Sequence, residues 1–288
     1  MNLQLTGSVG RGGANRAQDV RLVRALVNVH RRVRSQAALP IESTAGHELD
    51  AAIARFQSDR GVSVASGLVR AGSQSWTWLL ETLAASRTRQ PVVAPGQGRL
   101  TWEAEGQEGG RYHSRILHVP SASSGLTIGR GYDLRERTRA EVTRQLAAAG
   151  LAANRANTLA GAVRLSGAAA EQFIIDNDLL DFEVSPAVQL SLFETVYSEM
   201  EQDVIRICGK QDVLERYGPT DWAGLDGRIR DTLVDLRFRG DYTGTTRRQV
   251  QPPVVANDLA AFRQVLGNAS LWSNVPADRF QRRVRYLA

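Results

Sequence analysis

The sequence predicts a mainly α-helical chain of α+β class: a small N-terminal three-helix bundle, a short β region, then a helical body. Three observations carry that expectation. Apolar residues recur at helical spacing three times before residue 87, a Gly-, Ser- and Thr-rich stretch fills residues 100–134, and from Thr138 onward almost everything reads helical. With 288 residues, 42% of them apolar and 23% charged, the chain has enough apolar surface for one or two cores, and intrinsic disorder is excluded.

Taken in order, Asn15 is placed to cap a first helix whose Val20, Val23, Val27 and His30 share a face, widened by Leu22, Leu26 and Val29. A second helix carries Leu49, Ile53 and Phe56. A third follows Ser73, with Trp76, Leu79, Leu80 and Leu83 in phase. No strand pattern competes in this module. Residues 87–99 hold two prolines and two glycines without a helical period, and read as a linker. The expected organisation is therefore a first domain over 1–86, a linker over 87–99 and a second domain over 100–288. Within the second, residues 115–119 and 126–128 favour β structure. Thr138 and Glu141 form a capping box, and Gly150 ends that helix. Ser185-Pro186 starts a long helix toward Cys208, and further helices are expected around 228–237, 258–266 and 278–287.

The charge is unevenly spread. The formal excess of +6 lies entirely in the first 98 residues, which carry 12 arginines against 6 acidic residues. Such a module suits an anionic polymer such as nucleic acid, a lipid surface or a carboxylate-rich wall; a solvated Arg-rich surface is the equal alternative. No apolar run reaches the ~20 residues of a membrane span. The first twenty residues lack the basic start and apolar stretch of a Sec-type signal. Cys208 is the single cysteine, which excludes an internal disulfide and a thiol-rich metal cluster.

Inventory removes several chemistries. A cysteine–histidine peptidase of the usual order needs a His after its Cys, and none follows Cys208. His113 and His118, five apart, match no helical metal motif and read as polar loop or strand residues. Carboxylate chemistry remains. Glu105 lies near Trp102 and before Gly106, and apolar surroundings can keep a carboxyl protonated as a general acid. Thr127, Gly129, Gly131 and Asp133 are spaced by two, so an extended piece puts Thr127 and Asp133 on one face, and the glycines let it bend. An acid, a carboxylate and a hydroxyl are the parts of inverting glycoside hydrolysis. The plain alternative is a turn cap at Glu105 and an ordinary glycine-rich hairpin. Glu103 and Glu108 compete with Glu105 as the acid.

Glu105-Gly106, followed by Ser124-Gly125-Leu126-Thr127-Ile128-Gly129-Arg130-Gly131-Tyr132-Asp133-Leu134, resembles the phage-type lysozyme family, closest to its pesticin-like branch. The run 236–243 (LRFRGDYT) is also similar to one in relatives of that branch, and the likeness covers most of 100–288. The resemblance implies a lysozyme-like domain that cleaves the β-1,4 bond between N-acetylmuramic acid and N-acetylglucosamine. Glu105 would be the general acid, Asp133 and Thr127 would hold and activate the water, and no metal or cofactor would enter. Arg130 and Tyr132 are candidate substrate contacts; for Arg130 and Arg115 a surface or ion-paired arginine is the alternative. Residues 9–28, 52–61 and 67–80 resemble the three-helix peptidoglycan-binding module, departing from it over 40–46 (PIESTAG).

Both halves thus point to the same polymer. The resemblance implies an antibacterial toxin or effector made in the cytoplasm and delivered by a non-Sec route to the wall of a target cell. Its partners would be glycan strands, an immunity protein and a secretion-machine component docking on the first domain. A phage endolysin, or a non-catalytic wall-binding protein of the same shape, is the alternative. A nucleic-acid partner lacks a basic groove with interleaved aromatics or a reading helix.

Overall fold

The computed structural model describes residues 3–110 and 113–288 and is mainly helical, with two two-stranded antiparallel sheets among the described residues. The chain divides into two compact units. One comprises Met1–Pro91 with Gln107–Gln189, the other Val92–Gly106 with Leu190–Ala288.

The first unit opens with three helices, α1 (Ala17–Val33), α2 (His47–Asp59) and α3 (Gln74–Ala85). Their predicted stripes form the core: Val20, Val23, Leu49, Ile53, Phe56 and Leu79 are fully buried. Burying each such side chain contributes about 1.5–3 kcal/mol, enough to select this helical phase over others. Ser73 caps α3 by accepting the Trp76 N–H at 3.3 Å. Asn15 does not cap α1. It sits at φ 49°, and its amide instead pairs with both backbone groups of Gly10. There it shapes the turn after β1 (Val9–Gly10), which pairs with β2 (Leu68–Val69). A strand of two residues is too short to show alternation, which is why it left no sequence signal.

Residues 40–46, where the likeness to the three-helix module lapses, are latched rather than loose. Buried Arg24 donates to the carbonyls of Pro40 (3.0 Å) and Thr44 (2.9 Å) and pairs with Glu48 (2.8 Å). Asn28 exchanges two hydrogen bonds with the backbone of Leu39. Much of the basic excess is spent inside the unit. Arg21 pairs with Asp176 at 3.1 Å, and Arg32 reaches Asp178 and Asp181, both at 2.6 Å. Burial would lower Arg32, but Asp181 and Asp178 outweigh it and raise the guanidinium above its ordinary value.

The linker-like stretch is anchored too. The Thr88 N–H and hydroxyl donate to the Glu183 carboxylate, and Arg87 donates to the Gly110 carbonyl at 3.0 Å. The rest of the unit holds β3 (Thr127–Ile128), β4 (Tyr132–Asp133), α5 (Arg139–Ala148), α6 (Ala153–Leu159) and α7 (Gly167–Asp176). The capping box at Thr138 and Glu141 forms as the sequence predicts, and Gly150 follows α5 at φ 96°. Helix α8 (Pro186–Cys208) starts at the predicted proline.

The second unit contains α4 (Arg99–Ala104), α9 (Gln211–Tyr217), α10 (Gly227–Arg239), α11 (Gly244–Val255), α12 (Leu259–Gly267) and α13 (Ala277–Leu287). Its core gathers Val204, Ile229, Leu233, Leu236, Val250 and Phe262. A second cluster packs Trp102 edge-on against Phe193, ring centroids 5.1 Å apart at 81°, with Tyr197 and Val234. Helices α4, α9 and α11 fall outside the helices expected from the sequence: α4 and α9 have only six and seven residues, and α11 contains Pro252-Pro253, unfavourable inside a helix.

Candidate active site

The glycine-rich stretch folds into a hairpin, not one extended piece. Gly129 and Gly131 adopt φ 62° and 95°, conformations that L side chains rarely take, and turn the chain between β3 and β4. Thr127 thereby lies directly opposite Asp133, and Ile128 opposite Tyr132. On its other side Thr127 pairs with His118, the two exchanging backbone bonds of 3.1 and 2.8 Å. Residues directly opposite one another across a ladder project to the same face. His118, Thr127 and Asp133 therefore form one polar row. The residues between them point the other way: Leu117, Val119, Leu126, Ile128, Tyr132 and Leu134 are all buried. Thr127 is itself buried, 3% exposed, with His118 and Asp133 half-buried beside it. The apolar backing fixes the register, because slipping by one residue would turn Leu126 and Ile128 to the polar side.

Asp133 is held by main chain. One carboxylate oxygen accepts the Gly125 N–H at 3.1 Å, the other the Arg135 N–H at 2.8 Å. This explains Gly125, since a Cβ there would collide with Asp133 Oδ1. Thr127 donates only weakly to the Gly125 carbonyl at 3.4 Å, so its hydroxyl can turn to donate to a ligand. His118 lies half-buried, its Nδ1 3.1 Å from the Ile116 carbonyl. Burial pushes the imidazole below its ordinary value, against the opposing influence of the Ile116 bond and of Asp133, so the ring is neutral near pH 7.

Glu105 belongs to the other unit. There it closes α4 and pairs with Arg279 of α13. Arg279 also reaches Asp235 (2.6 Å), which is fully buried and bound by Arg283 at 2.6 Å. Arg283 in turn meets Asp241 at 2.7 Å, and Asp241 pairs with Arg239. For Arg279, burial acts to lower the guanidinium, but Asp235 and Glu105 prevail and raise it. The neighbour of Glu105 is thus a guanidinium rather than the apolar wall expected from Trp102. Two residues of the LRFRGDYT run, Arg239 and Asp241, are members of this internal network, and Asp235 directly precedes the run.

The competing acids are otherwise engaged. Glu103 pairs with Arg99 (2.8 Å) and Arg282 (3.5 Å). Glu108 accepts from Arg115 Nε (2.8 Å) and Gln189 Nε2 (3.1 Å), with Arg130 at 3.7 Å. The candidate substrate contacts turn inward. Tyr132 is fully buried and donates its hydroxyl to Gln145, with the Arg137 guanidinium 4.3 Å from its ring centroid. Arg130 and Arg115 are 4% and 1% exposed, so these three side chains pack and pair instead of meeting a ligand. His113 accepts the Gly109 N–H on Nδ1 and donates from Nε2 to Glu183, a structural role.

His118, a polar loop or strand residue by its sequence, joins this row through its pairing with Thr127, and the alternation Leu117-His118-Val119 was its only signal.

Residues 98–284 match the family described as "Domain of unknown function (DUF8812)", and the chain belongs to that family. No curated protein matches the chain.

Proposed function

We propose that this DUF8812 member is a muramidase that hydrolyses the β-1,4 bond between N-acetylmuramic acid and N-acetylglucosamine with inversion. The observation that carries the reading is the Thr127–Asp133 pair: a hydroxyl and a backbone-anchored carboxylate on the polar face of a hairpin whose other face is apolar core. That arrangement suits the activation of water, and its sequence resembles the phage-type lysozyme motif.

In this reading Asp133 takes a proton from water while the Thr127 hydroxyl orients it by donating to one of its lone pairs. The water oxygen forms a bond to the anomeric carbon, the bond from that carbon to the bridging oxygen breaks, and its electron pair stays on the bridging oxygen. Glu105 supplies the proton to that oxygen, the role the resemblance gives it. Exchange with solvent then restores both carboxyl groups. Inversion is expected because the base acts on water rather than attacking the sugar itself.

The first three helices would hold the wall or dock a delivery component, and linking such a module raises the local glycan concentration. The setting that fits best is an antibacterial effector acting on a target wall and paired with an immunity protein. Among the described residues no helix is long and apolar enough to cross a membrane.

A second reading, a wall-binding protein without turnover, is favoured by one observation: Glu105 stands in an ion pair with Arg279. The test separates the two. Purified protein incubated with peptidoglycan should release reducing ends, and Glu105→Gln should stop release in a protein that still melts cooperatively. Binding without release from the unmodified protein supports the second reading.

A further inference from the structure

We propose that His118 is a fourth member of the Thr127–Asp133 face, its Nε2 accepting the O–H of the attacking water that is not transferred to Asp133. This rests on the muramidase reading and adds a residue to it.

Three observations lead there. First, register: His118 is the direct partner of Thr127, which is the direct partner of Asp133, so the three side chains stand in sequence along one face. Second, tautomer: Nδ1 faces the Ile116 carbonyl, which can only accept, so Nδ1 carries the proton and Nε2 carries a lone pair. Third, availability: Nε2 has no hydrogen-bond partner among the described residues, whereas both imidazole nitrogens of His113 are engaged. A ring whose hydrogen-bond donor is pinned to backbone and whose acceptor is vacant, beside a hydroxyl and a carboxylate, is matched to a ligand that donates.

Water is such a ligand. A nucleophilic water has two O–H groups and must present a lone pair to carbon. Asp133 takes one O–H and the proton in it. Carbon needs one lone pair and the Thr127 hydroxyl donates to the other, but with the second O–H unrestrained the water can still turn out of the line of attack. An acceptor at His118 Nε2 fixes that second O–H. No proton moves to the imidazole, so the electron and proton balance of hydrolysis is unchanged. Misorientation of a reacting group costs on the order of 100-fold in rate, which sets the expected size of the effect.

Two substitutions separate this role from packing. His118→Asn can keep a donor toward the Ile116 carbonyl but has no acceptor at the Nε2 position. His118→Gln reaches that position with its amide oxygen. Steady-state hydrolysis of peptidoglycan by the full chain should show kcat lowered about 100-fold in His118→Asn, with KM within twofold, and clear recovery in His118→Gln. Equal kcat in all three proteins would overturn the proposal. So would a raised KM at constant kcat, which would make His118 a sugar contact, or equal losses in both variants with lowered melting temperatures, which would make it structural. Asp133→Asn and Glu105→Gln run alongside: an inactive unmodified protein removes the muramidase reading itself, whereas an active protein indifferent to position 118 removes only this addition.

Discussion

Asp133 at the end of β4 and Glu105 just after α4 are both carboxylates at the ends of short elements, yet different chemistry fixes each. Backbone N–H groups of Gly125 and Arg135 hold Asp133, while the Arg279 guanidinium holds Glu105 within a chain of buried ion pairs. Neutral amides position a carboxylate without cancelling its charge, and each oxygen keeps a lone pair for a further donor. An arginine positions it and also balances its charge. The comparison teaches that a carboxylate in a plausible motif has to be judged by what holds it, and that the two ends of the proposed reaction call for separate tests.

The sharpest break in that comparison is at the hairpin. Asp133→Asn should lower muramidase activity by about 10³-fold, near the middle of the range for loss of a general base, with little change in stability because the amide keeps an acceptor for one of the two N–H donors. Steady-state turnover together with thermal melting checks both halves. In the other unit the balance should reverse. Asp235→Ala leaves Arg279 and Arg283 buried without their shared partner, and loss of about 3–5 kcal/mol in denaturant unfolding is expected.

Gly125→Ala probes the anchoring itself. The added Cβ would displace Asp133 Oδ1 and the bond from the Gly125 N–H, so turnover should fall while overpacking costs about 1–3 kcal/mol. Turnover at the unmodified rate would mean that Asp133 need not be held.

The smallest effect is one of pH. Burial alone would raise Glu183, but bonds from Thr88 and His113 and the charge of Arg115 outweigh it, so its carboxyl lies below the ordinary value of 4.5. A depressed folded value contributes stability that is complete above the unfolded value and is lost as pH falls through the folded one. Melting temperatures of the unmodified protein and Glu183→Gln should differ near neutrality and converge well below pH 4.5.

How much of this could be read beforehand depended on the range of the interactions. The helices of the first module, the Thr138 capping box and the Pro186 start are local patterns, and the structure has them where the spacing puts them. The same-face relation of Thr127 and Asp133 was legible too, though it arises from a hairpin register and not from an extended strand. What stayed hidden is long-range. Position 118 gains its meaning from pairing with Thr127 across a ladder, and Arg279 meets Glu105 from 174 residues away. Neither link leaves a periodic trace. The inward turn of Arg130 and Tyr132 was hidden for the same reason: their partners Glu108 and Gln145 lie outside the motif.

The most direct measurement of the central claim is mass spectrometry of the soluble products from purified peptidoglycan, after borohydride reduction. The account predicts muropeptides ending in reduced N-acetylmuramic acid from the unmodified protein and none from Asp133→Asn. Free stem peptides, products ending in reduced N-acetylglucosamine, or the same products from both proteins would contradict it.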